Sequence, residues 1–265
     1  MTTLGGGPPG TLLLRPDPRL RFFLPARLRA VPELAVPDDG TSSLGHVVQS
    51  VGIPLSEVGA LTSGDRPLAA SHRPVPGERV SIEAVRRPER LPPGPPRFLL
   101  DVHLGALARR LRLVGLDTEC PPDAGDAALV ARAGAERRIL LTRDRGVLMR
   151  RRLWRGAFVR GDRPDDQLTD VLDRFAPPLA PWTRCPACNG LLEAADRSEV
   201  ERLLRPGTRR TYDAFSRCAS CGRVFWRGAH GERLRNLVEA ANRTVVARLA
   251  EAGHGHPAEM PGGED

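Results

Sequence analysis

The chain has 265 residues, 40 % of them hydrophobic and only 4 % aromatic, so it has room for about one to three domains whose cores are mostly Leu, Val and Ala. Its 40 basic residues outweigh 32 acidic ones, for a net charge of +8, which favours a polyanionic partner over an acidic protein or a free-standing function, although an Arg-, Ala-, Gly- and Pro-rich composition would give the same bias with no function behind it. Every basic residue is Arg, the side chain suited to bidentate phosphate contacts, and the missing Lys excludes a Schiff-base or Walker-type lysine.

Membrane insertion is not expected, because no apolar run approaches the roughly 18–20 residues that span a bilayer. The Gly- and Pro-rich start has neither the basic n-region nor the apolar h-region of a signal peptide. Four of the five Cys form two Cys-x-x-Cys pairs, which point to a metal site in a reducing, cytoplasmic compartment more than to a disulfide frame.

Residues 1–10 read as disordered, and residues 11–87 as a first domain. Short β-like runs lie at Thr11–Leu14, Arg21–Leu24 and Arg79–Val85. Ser42 and Ser43 precede Leu44, Val47, Val48 and Val51, an i, i+3, i+4, i+7 stripe closed by Gly52, so a capped helix of about two to three turns is predicted there. A strand hairpin, a helix and further short strands suggest a β-grasp, ubiquitin-like domain. Residues 60–85, with Gly64-Asp65-Arg66-Pro67-Leu68 and Val75-Pro76-Gly77-Glu78-Arg79-Val80, resemble the later half of small sulfur-carrier proteins. Those carriers act through a Gly-Gly tail, whereas this domain runs into a Pro-rich spacer at 88–96. A binding or regulatory module with a protein partner is expected instead.

The second domain, 97–180, starts at Arg97-Phe98-Leu99-Leu100-Asp101, a buried-type strand ending on a carboxylate. Leu104, Leu107, Ala108, Leu111 and Val114 mark a helix face that Gly115 closes. Asp126 opens the helix 127–135, and Ile139–Leu141 forms a strand that leads into Asp144 and a third helical start. Ala157–Arg160 is a further strand reaching Gly161-Asp162, and Leu168, Val171, Leu172 and Phe175 mark the helix after Asp165 and Asp166. Strands alternating with helices at these spacings argue for an α/β fold with a parallel sheet flanked by helices.

Residues 181–231 carry Cys185-Pro186-Ala187-Cys188 and, after 29 intervening residues, Cys218-Ala219-Ser220-Cys221. Two such knuckles signal a zinc ribbon, and four thiolates make a closed, structural Zn2+ site. Glu199–Leu204 reads as helical within the insertion and Arg223–Trp226 as a strand. Residues 232–265 read as a helix, Glu232–Glu251, with a frayed tail. Cys120, before Pro121-Pro122, is read as an unpaired structural Cys.

Strand ends on one edge of a parallel sheet converge, so Asp101, Asp126, Asp144 and Asp162 are candidate catalytic residues. Clustered carboxylates repel, and Mg2+ or Mn2+, with Asp101 and Asp144 as the firmest ligands, would stabilise them and activate water at a phosphodiester. Asp is also a favoured helix N-cap, so each position alone fits either role. Asp123 competes with Asp126, and Asp165 and Asp166 with Asp162. Residues 137–155 hold eight Arg against the single acid Asp144, an Arg rim suited to backbone phosphates or simply a solvated face. Thr142, Arg143 and Arg145 are candidate substrate contacts, while His103 and His230 are lesser candidates beside the site.

Phe98-Leu99-Leu100-Asp101 with Leu107–Gly115, Ile139–Asp144, the two Cys-x-x-Cys knuckles and Phe225-Trp226 with His230 together resemble the Mut-seven C-terminal RNase family, over roughly 97–231. The resemblance implies a PIN-like nuclease fold with a zinc ribbon, and bacterial members further resemble this chain in carrying an N-terminal ubiquitin-like domain. It implies a metal-dependent ribonuclease acting on RNA, with acidic positions mapping onto Asp101, Asp144, Asp126 and Asp162. PIN enzymes often place Glu at the second acidic position, where this chain offers Asp; Glu136 sits at a helix end and is left out. The rival expectation is a non-cleaving RNA-binding or adaptor protein with a PIN-like pocket.

Overall fold

A computed structural model describes residues 10–203, 214–226 and 231–254. The expectations for residues 1–9, for the tail after His254 and for His230 fall outside the described residues. The chain divides into two compact units, 1–86 with 142–158 and 87–141 with 159–265.

In the first unit, β1 (Thr11–Pro16), β2 (Leu34–Pro37), β3 (Val58–Ser63), β4 (Arg66–Pro67) and β5 (Arg79–Ala84) form a sheet in the order β2-β1-β5-β3-β4. The central pair β1–β5 is parallel and its flanking pairs are antiparallel, the arrangement of a ubiquitin-like domain. Helix α1 (Leu44–Ser50) is capped by Ser43, whose Oγ accepts from His46 N, and Gly52 follows at φ +102°. The expected strand at Arg21–Leu24 is instead a 3-10 turn, Pro18–Phe23. Asp17 caps that turn by accepting from Arg19 N at 2.8 Å, and Pro18 stands at its first position with no N–H to give a strand ladder. The Arg19 side chain, bonded to the same carboxylate, holds Asp17 down at about 2.

In the second unit, β6 (Arg97–Leu100) is followed by α2 (Gly105–Leu113), β7 (Asp117–Glu119), α3 (Asp126–Ala135) and β8 (Ile139–Thr142). Strand β6 pairs in parallel with β7 on one side and with β8 on the other. Phe98, Leu99, Leu100 and Ile139–Leu141 are almost wholly buried, as in a strand covered on both faces. Strand β7 escapes sequence reading, because a three-residue run with two acids has no strand signature. Gly115 permits the chain to turn from α2 into β7: it has φ +88°, and a Cβ there would sit 1.9 Å from the Ala180 carbonyl oxygen.

Residues 142–158 belong to the first unit and contain α4 (Arg145–Leu148) and β9 (Gly156–Phe158). Leu148 and Phe158 join Leu20, Phe23, Val48 and Ile53 in one buried cluster, so the ubiquitin-like core is completed by residues more than fifty positions downstream.

The second unit resumes with α5 (Pro164–Phe175), whose Leu168, Val171, Leu172 and Phe175 face inward, with the Phe175 ring 5.7 Å from that of Phe98. The Pro-rich spacer is not a free tether at its start. Arg87 Nη1 bonds Asp170 at 2.8 Å and Asp173 at 2.7 Å on α5, and Arg174, only 1 % exposed, bonds Glu89 at 2.8 Å. Strands β10 (Leu192–Ala195), β11 (Phe215–Cys218) and β12 (Val224–Trp226) make a small antiparallel sheet. Helix α6 (Arg197–Val200) lies in the insertion, and α7 (Gly231–His254), the last described element, packs on α5 with Arg248 bonded to Asp173. Among the described residues no helix is long and apolar enough to cross a membrane.

Candidate metal centre and active site

The two knuckles are built alike. In each, the residue four places after the first Cys donates its N–H back to that Cys carbonyl, Asn189 to Cys185 at 2.9 Å and Gly222 to Cys218 at 3.0 Å. Both closing residues lie at φ +71°. Asn and Gly are the residues that tolerate this left-handed backbone, so the local sequence fits the turn. Gly190 adds a spatial requirement, since a Cβ there would stand 2.4 Å from Ser220 Oγ and 3.0 Å from Cys218 Sγ.

These turns bring Cys185, Cys188, Cys218 and Cys221 together with all four sulfurs within 4.8 Å of one another. Among the described residues this is the one group of three or more His, Cys, Asp or Glu gathered closely enough to hold an ion. Protons distribute unevenly over it. Burial and the neighbouring thiols push Cys188 up to about 12; burial opposes ionisation of Cys218 too, but N–H groups of Cys221 and Ser220 win and lower it to about 7. Four crowded thiols cannot all ionise without a cation, and the soft, closed donor set suits a metal ion such as Zn2+.

The first knuckle is tied to the parallel sheet by a polar network that sequence reading missed. The Asn189 carboxamide accepts from Thr118 N at 3.0 Å and donates to the side chains of Asp117 at 2.9 Å and Glu119 at 3.1 Å, so it bonds both the backbone and the acids of β7. Arg112, buried, reaches from α2 to Thr118 O at 2.8 Å and to Pro186 O and Ala187 O at 3.1 Å. Arg138, one of the eight Arg in residues 137–155, does not belong to an exposed rim: it is 4 % exposed and bonds Asp117 at 2.7 Å and Glu136 at 2.6 Å. Its charge is consumed in the fold. Burial opposes ionisation of Asp117, yet Arg138, Asn189 and Arg184 outweigh it and hold the carboxyl below its ordinary value. The one available sequence signal was an Asn directly after a Cys-x-x-Cys pair.

The strand-end carboxylates are each set by local backbone. Asp101 directly follows β6, is buried, and caps the next turn by accepting His103 N at 2.9 Å; its carbonyl accepts the Cys120 thiol at 3.4 Å, while the His103 side chain is exposed. Burial pushes that thiol up, as expected for an inert structural Cys. Asp126 is the first residue of α3, with Gly125 in the cap position. Asp162 is exposed just after Gly161, and Asp165 on α5 is bonded to Arg110 of α2. Asp101, Asp126 and Asp162 all lie in the second unit, and among the described residues none of them belongs to a group gathered as closely as the thiols.

In the first unit Asp144 caps α4: its Oδ1 accepts Gly146 N at 2.6 Å, and its own N–H donates to the buried Thr142 hydroxyl at 2.9 Å. Arg143, Arg150, Arg151 and Arg152, within eight residues of it in the sequence, are exposed. Arg145 turns to the ubiquitin-like domain, donating to Phe23 O at 2.9 Å with its guanidinium 5.5 Å from the Phe22 ring centre.

Comparison with protein families gives two matches. The family described as Mut7-C RNAse domain covers residues 96–238, more than half of the chain, and that described as Mut7-C ubiquitin covers 11–90. Searches of curated proteins and of solved structures gave no match.

Proposed function

The chain belongs to the Mut7-C RNase family, and from that premise we propose that it is a metal-dependent ribonuclease hydrolysing RNA phosphodiester bonds. The observation that carries the reading is the family match itself, which spans Asp101, Asp126, Asp144 and Asp162 together. Each of these follows a strand or opens a helix, where an open α/β sheet presents its ligands.

Asp101 and Asp144 would hold Mg2+ or Mn2+, with Asp126 and Asp162 completing the acidic set; carboxylate oxygens are the hard donors these ions take. The ion supplies Lewis-acid neutralisation of phosphate charge and activation of water. The chain's own residues do the rest. Thr142 fixes the turn that presents Asp144, and exposed Arg143, Arg150, Arg151 and Arg152 meet the RNA backbone. The four thiolates of Cys185, Cys188, Cys218 and Cys221 would hold Zn2+ in a structural role, since a set of four Cys donors is typical of structural sites.

The test is incubation of the full-length protein with labelled single-stranded and structured RNA, with Mn2+ or with EDTA, beside Asp101→Asn and Asp144→Asn. Metal-dependent cleavage lost in both variants supports the reading. Cleavage indifferent to EDTA and to the substitutions would sink it, and RNA binding without cleavage would favour a non-cleaving adaptor.

A further inference from the structure

We propose that the ubiquitin-like domain is the positioning element for the Asp144 turn, holding α4 formed by gripping it at both ends and on its apolar face. The functional weight of this rests on reading Asp144 as a metal ligand.

Helix α4 has four residues, Arg145–Leu148. A single turn fixes several dihedrals for very few hydrogen bonds and does not persist by itself in water. Its order must come from what it packs against, and the contacts converge from the N-terminal domain. At its start, Arg145 donates to the Phe23 carbonyl oxygen. That oxygen is reachable because residue 52 is Gly: a Cβ there would stand 2.8 Å from it. Just past the helix end, the carbonyl of Met149 accepts Gln49 Nε2 at 3.3 Å, satisfying a group the helix leaves without a partner. Between them, Leu148 is 3 % exposed within the ubiquitin-like core.

The far end of the segment is anchored as firmly. Phe158 meets Phe22 and Phe23 with ring centres 5.4 and 5.3 Å apart. Its N–H donates to Glu57 at 2.8 Å, and Glu57 is only 2 % exposed. A carboxylate buried to that degree is retained only where donors meet it. The face formed by Phe22, Phe23, Gln49 and Glu57 is therefore occupied by the chain's own residues 142–158. It is a self-contact that specifies where Asp144 stands, and a protein partner of this domain would have to use another face.

Phe22 suits the test because it is 45 % exposed, so its loss does not open the core. Phe22→Ala combined with Gln49→Ala should be compared with the conservative Phe22→Tyr in the full-length protein. Hydrogen exchange of residues 146–149 should speed up by about tenfold or more in the double variant, while strand β1 keeps its protection. Mn2+-dependent cleavage of single-stranded RNA should lose about tenfold in kcat with KM unchanged, as expected when a reacting group is displaced but substrate contacts remain. Phe22→Tyr should keep both properties. Unchanged exchange at 146–149 in the double variant overturns the proposal, as does faster exchange with full kcat. If the wild type shows no metal-dependent cleavage, the nuclease reading fails, and the exchange result by itself decides whether the domain holds the turn.

Discussion

The Asn189 side-chain carbonyl accepts the backbone N–H of Thr118 at 3.0 Å, joining the first cysteine knuckle to the edge strand of the parallel sheet. Thr118 is fully buried, so this bond satisfies a donor that water cannot reach. Asn189→Ala would leave that N–H unpaired, at a cost of about 1–3 kcal/mol, and would place Ala at φ +71°. We expect a melting temperature several degrees lower with zinc content preserved. A wild-type melting curve would show that the contact contributes nothing.

Asp117 gives the same junction a dependence on pH. Its carboxyl titrates below the ordinary value of 3.8, despite burial, because Arg138, Asn189 and Arg184 favour the charged form. A depressed carboxylate stabilises the folded state fully above its unfolded pKa, and that contribution is lost as pH falls through the folded value. The stability difference between wild type and Asp117→Asn should thus be constant from pH 7 to about pH 5 and shrink below 3.8. Urea unfolding at several pH values checks it; a gap that widens on acidification would contradict the assignment.

The knuckles should hold one equivalent of Zn2+, measurable by elemental analysis of protein purified without chelator. Cys185→Ser and Cys218→Ser should each lower that content. Gly190→Ala should do so without removing a ligand, since its Cβ would meet Ser220 and the Cys218 sulfur. Full occupancy in Gly190→Ala would mean that the second knuckle can shift.

Asp144→Asn separates two roles that Asp can play at one position. Asn caps helices about as well as Asp, so stability should change by no more than about 0.5 kcal/mol. A metal ligand reduced to a neutral amide loses its charge, and RNA cleavage should fall by about a hundredfold or more. Asp144→Ala should lose the cap as well, costing about 1 kcal/mol. Equal activity in wild type and Asp144→Asn would leave Asp144 as a cap alone.

Several elements could be read directly from local pattern. The β6 run ending on Asp101, the α2 face closed by Gly115, the Ser43-capped α1 and the paired knuckles all carry their signal within a dozen residues. Other elements carry none. Strand β7 is Asp-Thr-Glu, polar enough to pass for a loop, and it is a strand because Arg97–Leu99 pairs with it and Arg138, Arg184 and Asn189 absorb its acids. At Arg21–Leu24 the opposite error arises, where an apolar run suggests a strand but Asp17 and Pro18 impose a turn.

By itself, the sequence determined those element types that carry a local signal and the grouping of the four cysteines, since periodicity, caps and Cys-x-x-Cys spacing act over a few residues. It also placed Asp144 at a strand end, in a cap position. Only the tertiary structure decided which Arg remain exposed and which, like Arg138, are consumed in the core. It also decided that residues 142–158 complete the ubiquitin-like domain, joining Phe158 to Phe23 and Glu57. Those partners are separated by about a hundred residues or more, and burial of an apolar ring or a buried carboxylate's search for a donor leaves no trace in local pattern.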